Sequence, residues 1–104
     1  KRIRKKKGLS KITDEELWGL DVTLAKYILP RLIKFKEVNT MSYPFNLKSI
    51  EEWHSIIDKM IYSFEYVIRR NYEVSSNVEI RETEYKKYKD GMNLFAEYFM
   101  DLWD

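Results

Sequence analysis

The chain has 104 residues, which is enough for one domain and too few for two. Apolar residues make up 44% and charged residues 35%, the balance of an ordinary globular domain, and no apolar run approaches the ~20 residues that span a bilayer. We therefore expect no membrane partner. The absence of cysteine excludes disulfides and zinc–thiolate sites.

The positive charge is concentrated at the start of the chain. Residues 1–7 hold six of the 19 basic side chains, so the remainder carries 13 basic against 17 acidic residues. We divide the chain into a basic N-terminal arm, residues 1–12, and a single helical domain, residues 13–104. The arm is typical of nucleic-acid-binding tails, which predicts an affinity that falls steeply with salt. It is equally compatible with a solubilising tail or with a contact to the acidic last fifteen residues.

Two short polar patterns predict where helices begin. Thr13 and Glu16 match a capping box, which predicts a short first helix over about residues 14–20. Ser49 and Glu52 match a second capping box, which opens the clearest helix in the chain. Apolar side chains repeat along that helix every three or four residues: Trp53, Ile57, Met60, Phe64, Val67 and Ile68.

Two further helices are predicted on either side of that one. Asp21 is the expected cap of a helix with one apolar stripe, formed by Leu24, Ile28, Leu32 and Phe35. We expect Pro30 to kink this helix rather than end it, and residues 39–48 to form the loop that follows. A last helix over about residues 81–103 has a coiled-coil-like stripe, formed by Tyr85, Tyr88, Met92, Phe95, Phe99 and Leu102.

The predicted fold is therefore all-α: a small helical bundle of three long amphipathic helices and one short N-terminal helix. Gly91 lies inside the last helix, where it is unfavourable relative to Ala. We explain it by the close approach of another backbone.

Cationic and aromatic side chains share one face of the second helix, where Tyr27, Arg31 and Lys34 follow at steps of four and three. Arginine clamps phosphate through two parallel hydrogen bonds and tyrosine stacks on bases, so this face is a candidate site for an anionic nucleotide-type ligand. The alternative is a solvated basic face that pairs with the acidic last helix. The same residue types recur after the third helix: Arg69, Arg70 and Tyr72. There the alternative is simply favourable charge at a helix C-terminus.

The sequence offers few groups for catalysis or metal binding. His54 is the only histidine and lies off the apolar stripe, so we interpret it as a surface side chain rather than a catalytic base. The Glu-x-x-His pairs of a di-iron bundle are absent from the sequence. We therefore expect no enzyme activity, no metal and no cofactor.

Sixteen aromatic side chains are more than a thin bundle of this length readily encloses. We therefore predict a homo-oligomer, a dimer through the final helix. Its candidate interface residues are Tyr88, Met92, Phe95, Phe99 and Trp103.

Three segments, residues 18–35, 51–65 and 91–104, contain the patterns W-x-L-D-x-T-L-A…L-P-R-L, E-E-W…D-K-M-I and G-x-x-L-F-A-x-Y-F-x-x-L-W-D. In order and spacing they resemble a widespread family of small uncharacterised bacteriophage proteins. The resemblance implies a virus-encoded accessory protein. Together with the lack of a signal peptide, it implies the cytoplasm of the infected bacterial host.

Functions of different classes follow from these observations. The first is a non-catalytic phage accessory protein that binds and sequesters an anionic nucleotide-type ligand, such as a host immune second messenger. The alternative is a protein-binding inhibitor or scaffold that acts on a host or virion protein. Nucleic-acid binding through residues 1–7 is a further alternative.

Overall fold

The computed structural model describes residues 8–70 and 75–103, and within those ranges all regular secondary structure is helical. The helices are α1 (Asp14–Trp18), α2 (Leu20–Val38), α3 (Ile50–Arg69) and α4 (Val78–Glu97), with 3-10 turns at Leu9–Lys11 and Phe99–Asp101. The predicted all-α fold with three long helices and one short helix is confirmed. Every helix in the described ranges is too short or too polar to span a bilayer.

The first predicted capping box is confirmed and the second is confirmed in part. The Thr13 Oγ1 accepts from the Glu16 N–H at 3.4 Å, and the Glu16 Oε2 accepts from the Thr13 N–H at 3.1 Å. The Ser49 Oγ likewise accepts from the Glu52 N–H at 3.1 Å. However, the Glu52 carboxylate reaches one residue further back and accepts from the Lys48 N–H at 2.9 Å.

Asp21 does not cap α2, so that prediction is wrong. The helix begins at Leu20 with Gly19 in the N-cap position, and Asp21 lies in the first turn. Its carboxylate accepts from the Val22 N–H at 2.8 Å and from the Arg70 guanidinium at 3.1 Å, which makes it a link between α2 and α3. The helix continues through Pro30, as predicted. Proline lacks a backbone N–H, so the helix loses one hydrogen bond at this position and is not ended by it.

Helix α3 supplies most of the core. The predicted stripe is confirmed, since Trp53, Ile57, Met60, Phe64 and Val67 are all buried. Ala25 and Leu32 of α2 pack against it from one side, and Tyr98, just after α4, packs against it as well.

The long helices form an open arrangement with α3 in the middle. Helices α2 and α4 both pack on α3, but no pair of Cα atoms within 8 Å joins α2 to α4 in the described ranges. The Cα radius of gyration is 16.6 Å. A compact domain of this length has a radius of about 13 Å. Broad faces of α2 and α4 are therefore left without a partner helix in the described part of the chain.

The closest approach of α3 and α4 is at Gly91, which is buried. A Cβ atom there would overlap the Ser63 Oγ and the Lys59 carbonyl oxygen. The Ser63 hydroxyl donates across the contact to the Tyr88 carbonyl oxygen at 2.8 Å. The expectation that another backbone approaches Gly91 closely is confirmed.

Candidate functional site

The structure brings Tyr27 and Arg31 together on the surface of α2. The Arg31 guanidinium carbon lies 3.6 Å from the Tyr27 ring centroid, and its Nη1 donates to the Tyr27 carbonyl oxygen at 2.9 Å. Lys34 is exposed one turn further along the same face. On this exposed helix surface, Tyr27 and Arg31 therefore form a cation–aromatic stack, and Lys34 lies one turn away from it.

Both arginines at the end of α3 connect helices. The Arg69 Nη1 donates to the Glu84 carboxylate of α4 at 3.3 Å, and the Arg70 Nη2 donates to the Asp21 carboxylate of α2 at 3.1 Å. Burial lowers the pKa of Arg69, but Tyr62 and Glu84 more than offset this and hold that pKa above its ordinary value. Tyr72 lies outside the described residues, and so does the basic stretch 1–7.

A cluster of four tyrosines lies where α3 faces α4, and only its α4 members, Tyr85 and Tyr88, were singled out from the sequence. The Tyr66 ring stacks on Tyr88 with centroids 5.1 Å apart. Tyr62 lies 6.4 Å from Tyr66, and Tyr85 lies 5.8 Å from Tyr88, between ring centroids. The Arg69 guanidinium lies 5.7 Å from the Tyr66 ring. Tyr62 and Tyr66 are four residues apart, and Arg69 follows three residues later. This helical spacing is the sequence signal from which the α3 side of the cluster could have been predicted.

A groove of about 610 Å³ runs between α3 and α4 beside this cluster. Its walls include Ser55, Lys59, Tyr62, Lys87, Asn93 and Leu94. The Lys87 Nζ lies 5.7 Å from the Tyr62 ring centroid. Two carboxylates also line it, of which Asp58 is paired with Lys36 at 2.7 Å and Asp90 lies 3.8 Å from Lys86.

Lys59 and Lys87 are the two lysines of the groove. Neither forms an ion pair within the described ranges, where no carboxylate lies within 4 Å of either ammonium group. The groove therefore presents the Tyr62 ring with the Lys87 ammonium 5.7 Å from it, and Lys59 is a second lysine in its lining. An aromatic ring and lysine ammonium groups are suited to a base and a phosphate. It lies on different helices from the predicted site at Tyr27, Arg31 and Lys34.

His54 is half-buried rather than fully on the surface. Its Nε2 lies 2.6 Å from the Asn39 carbonyl oxygen, to which it donates, and the contact joins α3 to the end of α2. The described residues include no group of three or more His, Asp or Glu side chains placed to hold a metal ion. His54 thus has a structural contact that its sequence position did not reveal.

The predicted interface residues fall into two groups. Tyr88, Met92 and Phe95 pack against the core of the same chain, with the Phe95 ring edge-on to Phe64 at 5.0 Å. Phe99 and Trp103 are exposed beyond the end of α4. The stripe divides in this way because the second half of α4 packs on α3, and the helix ends at Glu97, before Phe99 and Trp103.

Two contacts hold the loop before α3 and the segment after α4 at the same end of the molecule. The Asn46 Nδ2 donates to the Tyr98 hydroxyl at 3.1 Å, across 52 residues of sequence. The Tyr98 ring meets the buried Trp53 edge-on, with centroids 5.5 Å apart. Tyr98 therefore holds the loop that contains Asn46 next to the segment that follows α4.

Large apolar side chains project from the two segments that these contacts hold. Phe45, next to Asn46, is 99% exposed, and Met100 and Trp103, after Tyr98, are 88% and 71% exposed. Phe99 is exposed as well and touches Phe95 edge-on at 5.3 Å. We call Phe45, Phe99, Met100 and Trp103 the end patch.

Comparison with known proteins gives no relative for this chain: no protein-family model, no curated protein and no solved structure matches it. We therefore infer the function from the surfaces of the molecule.

Proposed function

We propose that this chain acts by binding another protein through the end patch, rather than by catalysis. The observation that carries the proposal is the exposure of Phe45, Met100 and Trp103 on two segments that the hydrogen bond from Asn46 to Tyr98 holds together. Aromatic residues and Met are enriched in protein–protein interfaces, and Trp is among the commonest residues at their energetic centres. Burying one such side chain stabilises a complex by about 1.5–3 kcal/mol.

The support beneath the patch is rigid. Tyr98 is buried, hydrogen-bonded to Asn46 and packed on Trp53, so the backbone on both sides of the patch is held by core contacts. A surface that is ordered before it binds loses less conformational entropy on binding. This favours a recognition surface over a flexible tail.

The charge around the patch defines the partner more closely. After Lys89 the sequence contains four acidic residues and no basic residue. Asp101 lies between the exposed Met100 and Trp103 in the sequence, so an acidic side chain lies among the apolar ones there. The expected partner has an apolar groove bordered by basic side chains, and the rate of association should fall as salt increases.

The resemblance to small bacteriophage proteins supports a setting for this interaction. In that setting the partner is a host or virion protein, and the chain is an inhibitor or scaffold inside the infected bacterial cell. The hydrogen bond from Asn46 to Tyr98 within the chain itself positions the patch.

The test compares a patch variant with a matched control during affinity capture from phage-infected bacteria. The Phe45→Ala/Trp103→Ala double variant removes two exposed side chains, and Trp18→Ala removes one of similar exposure (79%) from α1. We expect a defined partner to be captured by the wild-type chain and by the control, but not by the double variant. Titration of the purified partner should then show a loss of at least about tenfold in affinity, or ~1.4 kcal/mol. Equal binding of all three proteins would refute the proposal.

A second function is favoured by the groove between α3 and α4. We propose it as the site for an anionic nucleotide-type ligand, with Tyr62 stacking on the base and Lys59 and Lys87 contacting phosphate. The volume of about 610 Å³ is within the range of small-molecule sites. The proposal keeps the ligand class expected from the sequence and moves the site to another pair of helices.

Calorimetric titration against cyclic and ADP-ribose-type nucleotides tests this second function. Lys59→Ala/Lys87→Ala should abolish binding, whereas Lys89→Ala, an exposed residue of α4 outside the groove, should not. An Arg31→Ala/Lys34→Ala variant separates the groove from the α2 face. If that variant alone loses binding, the ligand occupies the α2 face and the groove proposal is wrong. If no nucleotide binds the wild-type chain, both sites are excluded for these ligands.

A further inference from the structure

The groove between α3 and α4 has no net charge in its own lining. Lys59 and Lys87 line it together with two carboxylates, Asp58 and Asp90, and its other lining residues in the described part of the chain are uncharged. A phosphate that contacts the two lysines therefore also meets two negative charges. The attraction of the groove for an anion thus depends on charges that lie outside its lining.

One of the two carboxylates is paired closely with a lysine of α2. The Lys36 Nζ donates to the Asp58 Oδ1 at 2.7 Å, across 22 residues of sequence. Charge-assisted hydrogen bonds of this length are strong. The Lys36 side chain is 34% exposed, which is less than half the exposure of the Lys86 side chain, at 78%. Lys36 therefore offsets the charge of Asp58 before any ligand binds.

The second carboxylate has a much looser partner. The Asp90 carboxylate lies 3.8 Å from the Lys86 Nζ, beyond ordinary hydrogen-bond distance, and both residues belong to α4. Exposed pairs four residues apart on one helix are weak and are screened by salt. Of the two lysines outside the lining, Lys36 is therefore the one that is held against its carboxylate.

We propose that Lys36 is a positioning residue for the groove. It holds and neutralises the Asp58 carboxylate, and the groove thereby gains the net positive charge that attracts an anion. The inference rests on the part of the second proposed function that concerns the phosphate, because only an anion site needs this charge. It adds a third helix to the site, since the residues that line the groove in the described ranges belong to α3 and α4.

The arrangement of the helices makes Asp58 the connection between Lys36 and the groove. In the described ranges α2 packs on α3 and makes no contact with α4, and Lys36 itself does not line the groove. Asp58 directly precedes Lys59 and lies about one turn of α3 before Tyr62, the ring that we expect to stack on a base. An unpaired carboxylate at this position would oppose the phosphate that Lys59 contacts.

Two variants that break the same pair with opposite changes in charge test the inference. The probe is inorganic pyrophosphate at about 0.1 M salt, and NMR titration of the full chain follows the amide signals of Tyr62 and Asn93. Lys36→Met leaves Asp58 unpaired and should weaken binding about three- to tenfold. Asp58→Asn removes the negative charge and should strengthen binding. The double variant Lys36→Met/Asp58→Asn should bind about as tightly as the wild type.

Lys26→Met is the matched control, because it removes an exposed lysine of the same helix that has no carboxylate within 4 Å in the described ranges. It lies about 15 Å along α2 from Lys36, at 1.5 Å per residue. The screening length at this salt concentration is about 10 Å, so Lys26→Met should change binding less than Lys36→Met does.

Equal weakening by Lys36→Met and Asp58→Asn would mean that the pair acts only as a link between α2 and α3, and it would overturn the inference. Unchanged binding in Lys36→Met would overturn it as well, even if nucleotides bind the groove. A chain that binds pyrophosphate with the expected dependence on Lys36, but binds no nucleotide, would refute the second proposed function and support the inference. A wild-type chain that binds neither probe would refute both.

Discussion

Gly91 lies where α4 crosses α3, and its lack of a side chain sets the distance between the two helices. The Ser63 hydroxyl and the Lys59 carbonyl oxygen occupy the volume that a Cβ atom would need. The Ser63 side chain can rotate away, but the Lys59 carbonyl belongs to the backbone of α3 and cannot. A larger residue at this position must therefore separate the helices.

Gly91→Ala should destabilise the fold by about 1–3 kcal/mol, although alanine favours a helix by about 1 kcal/mol over glycine. The free energy of unfolding in urea measures this. Gly19→Ala is the control, because a Cβ there meets nothing within 4 Å, and it should cost no more than the weaker N-cap preference of alanine. A Gly91→Ala variant as stable as the wild type would contradict this prediction, because parting the helices would then cost no more than the about 1 kcal/mol that alanine gains in helix propensity.

At the scale of elements, apolar contacts on α3 hold the three long helices together and the ion pairs add little. Phe64 is buried and meets Phe95 of α4 edge-on at 5.0 Å. The Arg70–Asp21 pair joins α3 to α2, but both side chains are about half exposed. Exposed pairs of this kind contribute about 0–1 kcal/mol.

Phe64→Ala should therefore cost about 3–5 kcal/mol of the free energy of unfolding, and Arg70→Ala less than about 1 kcal/mol. Chemical denaturation followed by circular dichroism compares the two variants directly. A larger loss for Arg70→Ala than for Phe64→Ala would mean that the link between α2 and α3, and not the core of α3, limits stability.

Local signals in the sequence were sufficient for the helices and for the core face of α3. The Thr13 box and the stripe from Trp53 to Val67 depend on residues within one or two turns of each other. Asp21 failed as a predicted cap because its partner, Arg70, is 49 residues away. Periodicity on α4 correctly gave an apolar stripe, but it could not tell which part faces α3.

The candidate sites were harder to predict for the same reason. Arg69 was recognisable as a cation near aromatic residues, but its carboxylate partner on α4 was not. The end patch depends on the hydrogen bond from Asn46 to Tyr98, which no local pattern encodes. The composition shows an excess of aromatic residues, but the tertiary contacts determine which of these side chains are exposed.

At the scale of the whole molecule, the fold leaves two candidate binding surfaces. The end patch is built on the loop before α3 and the segment after α4, whereas the groove lies between α3 and α4. The two surfaces have no defining residue in common, and sites without shared partners behave additively.

The two interactions should therefore be independent. Lys59→Ala/Lys87→Ala should abolish nucleotide binding and leave capture of the partner unchanged, and Phe45→Ala/Trp103→Ala should do the reverse. Titration of both variants with the nucleotide and with the partner measures this. A variant that loses both interactions while remaining folded would contradict independence and would mean that the partner binds only the nucleotide-bound chain.

The most direct measurement of the central claim is photo-crosslinking from the end patch in bacteria that express the chain during phage infection. A photoreactive phenylalanine analogue replaces Phe45, which is 99% exposed, and in a control replaces Lys86 on the surface of α4. We expect one discrete adduct with another protein from position 45 and none from position 86. Equal adducts from both positions, or none from position 45, would contradict it.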